Sequence, residues 1–141
     1  MRVAVGDCQE QIDYPDGYFD RVLAIHVLEH LPNLPAALDQ IHRVLRPTGF
    51  LSGLIPCDPG LAYSVARNIS ARRIFEKRYK QSYDWFVVSE HINLPDEVIS
   101  QLHARFSIIH QTYWPLRIPI VGPNLVIGLT LTHLSLRPHV S

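Results

Sequence analysis

Two apolar segments with an amphipathic segment between them limit the folds open to this chain. Residues 19–25 and 50–55 are mostly apolar, and we predict that the first is a central strand buried on both faces of a sheet. Between them, Leu34, Leu38 and Ile41 recur at three- and four-residue spacing, which predicts a helix with one buried face. A strand, a helix and a strand in this order are typical of an α/β fold.

Turn and capping residues bound these elements. Asn33 precedes the predicted helix and has a side chain suited to cap its first turn. The Pro-Thr-Gly sequence at residues 47–49 is predicted to end the helix. Upstream, Arg2–Val5 is predicted to form a short strand that ends at the Gly6-Asp7 pair.

The second half of the chain extends this pattern and finishes with strands. Residues 61–80 have a helical composition, and a further helix is predicted from Asn93 to Ala104. Residues 106–114 and 125–136 are predicted strands separated by a proline-rich loop. We therefore expect the sheet to end in an antiparallel pair of strands.

The composition is that of an ordinary globular chain. Its 141 residues are 47% hydrophobic and 18% charged, with no net charge. This predicts one domain over residues 1–141 and gives no case for a nucleic-acid partner. Two cysteines cannot build a disulfide framework, and no apolar run is long enough to cross a membrane. We expect a cytoplasmic protein without stable membrane insertion.

Two segments differ from the rest of the chain in composition, one in charge and one in aromatic and apolar content. Residues 67–80 contain six basic residues against Glu76 alone. A solvated helix face is the first interpretation of that segment, and a surface for anionic substrates or lipid headgroups is the alternative. The Trp-Pro-Leu-Arg-Ile-Pro sequence at residues 114–119 is interpreted as a core edge and loop, with a substrate lid as the alternative.

Four segments together resemble one known family. In chain order they are Gly6–Cys8, Tyr14–Val22, His26–Leu31 and Arg43–Gly49. Their order, spacing and residue types resemble the class I S-adenosylmethionine-dependent methyltransferases of the type 11 group. In that family a Gly-Asp pair closes the third strand, Phe-Asp opens the fourth, and the next helix ends Arg-Val-Leu-Lys-Pro-Gly-Gly. Thr48 departs from this pattern, because the family usually has the first of two glycines there.

The resemblance implies a Rossmann-like sheet, S-adenosylmethionine as the cofactor and roles for particular residues. Asp7 and the backbone N–H of Cys8 would contact the adenine, because its exocyclic amine and ring nitrogen match a carboxylate acceptor and an N–H donor. Ile25, His26 and Val27 follow the family's fourth strand. They would line the cofactor and the path of the transferred methyl group.

The resemblance also implies a candidate base and a class of acceptor. Methyl transfer to oxygen or nitrogen can use a positioned base, which makes His26 the candidate catalytic residue and His30 the alternative. The implied acceptor is a small molecule or a glycan or lipid group. Fold does not specify the acceptor further.

The family's glycine-rich cofactor loop has no counterpart in this sequence. That loop and the first strand belong well before Asp7, and the seven glycines here form no Gly-x-Gly. We therefore expect the C-terminal part of the family's sheet only, as a single partial methyltransferase domain. Its exposed sheet edge would permit self-association. A non-catalytic remnant or interaction domain is the alternative function.

The segment His26-Val27-Leu28-Glu29-His30 also matches the H-x-x-E-H pattern of certain zinc hydrolases. In those proteins the two histidines lie one helical turn apart and bind the metal. Here a predicted strand ends immediately before His26, and Pro32 follows His30 closely. Because this leaves little more than one helical turn, we expect no metal site, and a zinc hydrolase is the less favoured alternative.

Overall fold

The computed structural model of this chain describes residues 5–69, 71–80, 83 and 92–134. The predicted strand Arg2–Val5 lies outside these residues except for Val5, which is not in a strand. Within the described residues, no helix is long and apolar enough to cross a membrane.

The described residues form strands and helices in α/β order. The strands are β1 (Phe19–Ile25), β2 (Leu45–Pro56), β3 (Phe106–Trp114) and β4 (Val126–His133). The α-helices are α1 (Leu34–Val44), α2 (Leu61–Ile69), α3 (Ala71–Tyr79) and α4 (Pro95–His103), and a short 3-10 helix spans Leu28–His30. The predicted helical stretch over residues 61–80 is thus two helices.

The four strands form one mixed sheet in the order β1-β2-β4-β3. β1 and β2 are parallel, while β4 runs antiparallel to both β2 and β3. The α/β class and the closing antiparallel pair are therefore confirmed. Because β1 and β2 are parallel, their carboxyl ends meet at the same edge of the sheet, where ligands bind in open α/β folds.

Helix α1 begins as predicted and ends earlier than predicted. The Asn33 side chain accepts a hydrogen bond from the Ala36 N–H at 3.3 Å, which caps the first turn. The predicted stop at residues 47–49 is wrong, because the helix ends at Val44 and β2 starts at the next residue. The cause is Leu45, which is buried in the core and pairs with Phe19 of β1 in extended backbone.

The core lies between one face of the sheet and helices α1 and α4. Phe106 at the start of β3 and Leu38 of α1 are fully buried there. Other buried members come from every element of the layer, namely Ala24, Ile41, Leu45, Leu51, Ile55, Val98, Leu102, Ile127, Leu129 and Leu131. The sheet is therefore covered on this face by α1, which the three- and four-residue spacing predicts, and by α4, which falls within the helix predicted from Asn93 to Ala104.

Strand β1 is not buried on both faces, and that prediction is wrong. Leu23 is 63% exposed and Ile25 is 56% exposed, whereas the alternate residue Ala24 is buried. The helices α1 and α4 cover only the face that carries Ala24. Among the described residues, β1 also has a paired neighbour on one side only, which is β2. Within the part of the chain that the structure describes, the other face and the second edge of β1 are consequently open.

Two imidazoles join the end of α1 to the end of β4. His133 Nε2 lies 3.2 Å from the Leu45 carbonyl oxygen, and His133 Nδ1 lies 2.9 Å from His42 Nε2. A carbonyl only accepts, so His133 donates through Nε2 and accepts from His42 through Nδ1. Burial lowers the pKa of His42, and the His133 imidazole lowers it further, while the Asp39 carboxylate opposes the shift.

This imidazole pair predicts acid-sensitive stability. The pKa of His42 in the folded chain lies below its ordinary value of 6.5. On acidification the unfolded chain therefore binds more protons than the folded chain. The contribution of His42 to the free energy of unfolding is fully present above pH 6.5 and is lost as the pH falls from 6.5 through the lower pKa of the folded chain. We expect the melting temperature measured by circular dichroism to fall on acidification, and His42→Gln to reduce that fall. His103→Gln, on the exposed side of α4, is the control, and an equal reduction in both variants would contradict the assignment.

Candidate functional site

The chain turns sharply where β1 ends, at the carboxyl edge of the sheet. The His26 N–H donates to the Leu54 carbonyl at 2.9 Å, which keeps this residue attached to β2 beyond the end of β1. His26 has a φ of 50°, a left-handed conformation that is uncommon for a residue other than glycine. Its side chain and that of Val27 are exposed at this edge. Such strained residues cluster at functional sites.

The buried carboxylate of Glu29 stabilises this turn. Glu29 is 2% exposed, and its Oε1 lies 3.2 Å from His26 Nδ1 and 3.7 Å from His30 Nε2. A carboxylate oxygen accepts, so His26 donates through Nδ1 and keeps Nε2 available as an acceptor. Within the described part of the chain, Glu29 Oε2 has no hydrogen-bond partner although it is buried. Glu29 therefore fixes both the orientation and the tautomer of His26.

The segment before α4 braces the same turn. The Asn93 side-chain amide donates to the carbonyls of Leu28 at 3.0 Å and Leu31 at 2.8 Å. The backbone N–H groups of Ile92 and Asn93 both donate to the Glu29 carbonyl. The sequence pattern at Asn93 indicates only a helix start, because the partners of its side chain are more than sixty residues away in the chain.

The geometry of this turn does not favour a zinc site. Residues 28–30 form a single 3-10 turn, and both histidine rings approach the same oxygen of Glu29. No group of three His, Cys, Asp or Glu side chains in the described part of the chain has the arrangement needed to hold a metal ion. The chemistry this arrangement offers is that of an oriented imidazole at a sheet edge.

Asp7 lies in an exposed turn that is tied to α1 through Gln9. Asp7 Oδ1 accepts from the Gln9 N–H at 2.8 Å and from Gln9 Nε2 at 3.0 Å. These bonds, the backbone one first, lower the pKa of Asp7, so its carboxylate is charged at neutral pH. Gln9 Oε1 in turn accepts from the Asn33 N–H at 2.6 Å. Gln9 belongs to no motif, so its role was not predicted from the sequence.

The neighbouring Cys8 offers its backbone rather than its thiol. Burial raises the pKa of the Cys8 thiol, and the adjacent Asp7 carboxylate raises it further, so the thiol stays protonated at neutral pH. The predicted site residues thus fall on two segments, namely the Asp7-Cys8 turn and residues 25–27. The hydrogen bond from Asn33 to Gln9 connects the first segment to the start of α1, which the chain enters directly after the His26 turn.

Arg43 fastens the loop between these two segments. Its guanidinium donates to the carbonyls of Ile12 at 2.7 Å and Tyr14 at 2.8 Å, and to the Asp16 carboxylate at 2.8 Å. Gln40, one turn earlier on α1, accepts from the Ile12 N–H at 3.2 Å. The planar donors of one arginine therefore fix several points of the loop that leads to β1.

An open apolar groove of about 780 Å³ lies beside the carboxyl end of β2. Helix α2 forms one wall and the loop between β3 and β4 forms the other, with Leu61, Ala62, Val65, Ile69, Pro115, Gly122, Pro123 and Leu125 as lining residues. The Ala62 N–H donates to the Gly122 carbonyl at 2.9 Å and joins the two walls. At Gly60, an added Cβ would lie 2.4 Å from the Cys57 carbonyl, so the chain needs glycine to enter α2 here.

Asn124 holds the loop wall of the groove in shape. It is fully buried, accepts from the Leu116 N–H at 2.9 Å, and donates to the carbonyls of Ile118 and Ile120, each at 2.8 Å. A buried side-chain amide that satisfies three backbone groups replaces the hydrogen bonds that a regular element would supply. The loop is therefore fastened although the side chains around it are exposed.

Comparison with known families agrees with the resemblance seen in the sequence. A family model described as a methyltransferase domain matches residues 1–52, which include both segments of the candidate site. No curated protein matches the chain.

Several solved structures have the same fold. The PH0226 protein of Pyrococcus horikoshii is 14% identical, with 92% of this chain and 58% of that chain covered and a TM-score of 0.62. A SAM-dependent methyltransferase of Methanosarcina mazei is 16% identical, with 93% and 66% covered and a TM-score of 0.61. The N-methyltransferase NodS of Bradyrhizobium japonicum, solved with S-adenosyl-L-homocysteine, is 14% identical, with 93% and 53% covered and a TM-score of 0.56.

The proteins in these structures are longer than this chain. The chain spans between 53% and 66% of the length of these three structures. At such low identity the likeness establishes the fold, which is the Rossmann-like fold of the SAM-dependent methyltransferases.

Proposed function

We propose that this chain, which has the class I methyltransferase fold and carries the methyltransferase-domain match over residues 1–52, supplies part of an active site for methyl transfer from S-adenosylmethionine. The observation that carries the proposal is the left-handed turn at His26, held at the carboxyl edge of β1 by the buried Glu29. This is the edge at which ligands bind in open α/β sheets.

The residues of the Asp7 turn fit the adenine of the cofactor. The carboxylate of Asp7 is exposed and charged, and the backbone of Cys8 follows it directly. A carboxylate beside an N–H presents an acceptor next to a donor, which matches the amine and the ring nitrogen of adenine. When bound, S-adenosylmethionine would supply an electrophilic methyl group. The solved NodS structure contains its demethylated product, S-adenosyl-L-homocysteine.

We propose that the segment after β1 lines the methyl-transfer path. Ile25 and Val27 are exposed apolar side chains on either side of His26. An apolar wall excludes water from the reacting atoms, which strengthens the electrostatic interactions there. His26 is the catalytic residue in this proposal, because its Nε2 is free of Glu29 and can accept a proton from an acceptor oxygen or nitrogen. The acceptor in this proposal is a small molecule or a glycan or lipid group.

Replacing Asp7 tests the cofactor site. Asp7→Ala removes the acceptor for the adenine amine, and we expect it to weaken binding by about 1 to 3 kcal/mol, or roughly fivefold to 150-fold in Kd. Isothermal titration of the chain with S-adenosyl-L-homocysteine measures this, with Asp13→Ala as the control because Asp13 is an exposed acid in the same loop.

The expected wild-type affinity is weak, because the family's glycine-rich loop is not among these residues and each missing backbone hydrogen bond costs roughly 1 kcal/mol. Equal Kd values for Asp7→Ala and Asp13→Ala would show that Asp7 is only a turn residue. No binding at millimolar ligand would favour the alternative, a non-catalytic interaction domain.

We also propose that the chain self-associates through the open side of β1. Leu23 and Ile25 are more than half exposed there, and the strand edge beside them has no described partner. An unpaired apolar edge is a template for pairing with another chain. Light scattering after size-exclusion chromatography should therefore give a mass above the 16.1 kDa of one chain.

Leu23→Lys should shift this mass toward that of one chain, because it places a charge on the open face of β1. Ile109→Lys is the control, since Ile109 is 55% exposed and lies on β3, at the opposite end of the sheet order from β1. A monomeric wild-type chain with a cooperative thermal transition would contradict the proposal.

A further inference from the structure

Helix α2 turns an apolar stripe toward solvent. Leu61 is 75% exposed, Val65 is 50% exposed and Ile69 is 66% exposed, and the four-residue spacing places them on one side of the helix. A surface helix normally turns its polar side outward and its apolar side to the core. Since these three residues line an open groove, the outward apolar stripe indicates a partner that the described residues do not include.

The loop on the other side of the groove continues the apolar surface. Trp114, Leu116, Ile118 and Ile120 are each between 44% and 57% exposed. The hydrogen bonds of Asn124 fasten the backbone that carries them. A fastened loop presents these side chains without the entropic cost of ordering them on binding. We call the α2 stripe and residues 114–120 together the α2-loop surface.

The charges around the α2-loop surface are mostly positive, although Asp58 lies just before α2. Residues 61–80 contain Glu76 as their single acid, and no acid occurs between residues 98 and 141. Glu76 is itself paired with Arg72 at 3.0 Å. The exposed cations are Lys77, Arg78 and Lys80 at the end of α3 and Arg117 in the loop. In a chain of zero net charge, the segments that form this surface therefore carry more positive than negative charge.

We propose that the α2-loop surface binds the surface of an anionic lipid membrane. Apolar side chains flanked by lysine and arginine are the arrangement by which proteins lie in the headgroup region, with the apolar groups buried below it. Trp114 and Tyr79, both more than half exposed, belong to the residue types enriched at that depth. Binding is peripheral, because no helix of the described chain can span a membrane.

The observations favour a lipid surface over nucleic acid or a soluble anion. Nucleic-acid sites pair basic residues with polar or stacking groups, whereas here most of the exposed side chains of the α2-loop surface are aliphatic. A soluble phosphate would use the cations and leave the stripe exposed. The groove opens beside the carboxyl end of β2, the same edge that carries His26, so a bound membrane would lie next to the proposed active site.

Vesicle flotation tests this proposal independently of any methyl transfer. The chain is mixed with vesicles of phosphatidylcholine alone or of phosphatidylcholine with phosphatidylglycerol, at low and high salt. We expect binding to the anionic vesicles to be at least about tenfold tighter, and salt to weaken it, because each cation near the surface contributes about fivefold. Lys77→Ala/Lys80→Ala should weaken binding by about twentyfold.

A matched pair of variants tests the apolar contribution. Val65→Asp is expected to weaken binding about tenfold or more, whereas Ile109→Asp, on β3 and exposed to a similar extent, is expected to leave it unchanged. Circular dichroism verifies that both variants are folded. For the cations, Arg21→Ala/Arg46→Ala is the control, because these exposed arginines lie on β1 and β2 away from α3.

Three outcomes would overturn the proposal. The first is equal binding to neutral and anionic vesicles, and the second is an equal loss in Val65→Asp and Ile109→Asp. The third is displacement from vesicles by duplex DNA at the same phosphate concentration, which would show a surface for polyanions in general. None of these results depends on cofactor binding, so failure here leaves the proposed methyl transfer untouched.

Discussion

The parallel pairing of β1 with β2 is the constraint on which the candidate site depends. It brings the ends of both strands to one edge of the sheet and lets the Leu54 carbonyl hold the His26 N–H at 2.9 Å. From that point the chain must turn at once, and His26 adopts a left-handed conformation to do so. The buried Glu29, and Asn93, which is distant in sequence, then stabilise the turn through hydrogen bonds. The exposed imidazole is the outcome of this arrangement.

Much of the fold could be predicted from sequence, because it depends on local patterns. The spacing of Leu34, Leu38 and Ile41 predicted α1, and Asn33 caps that helix as expected. The segment Phe106–Trp114 forms a strand with the predicted bounds. The burial of β1 was predicted wrongly for a physical reason. An apolar run indicates a strand, but it does not say which neighbours cover each face, and here only the face of Ala24 is covered.

The assignment of Asp7 and His26 to a ligand site stays a prediction, and the contacts that support their two segments depend on long-range pairing. The motif around Asp7 and His26 identified the two segments, whereas their supports could not be read from spacing. The Gln9 side chain accepts a hydrogen bond from the Asn33 N–H, and the Asn93 side chain donates one to the Leu31 carbonyl in the turn after β1. These residues are so far apart in sequence that no local pattern encodes their contacts. Glu29 was visible in the sequence as part of a zinc pattern, yet its burial beneath two imidazoles gives it a different role as the support of His26.

The most direct test of the central claim is the nuclear magnetic resonance spectrum of the ¹⁵N-labelled chain during titration with S-adenosyl-L-homocysteine. If the turn at Asp7 and the edge after β1 form one ligand site, the amide signals of Asp7, Cys8 and residues 25–27 should shift together and follow one saturation curve. The amide signals of β3, at the other side of the sheet, should not move. Shifts confined to β3 or to the groove beside α2, or no shift at millimolar ligand, would contradict the account.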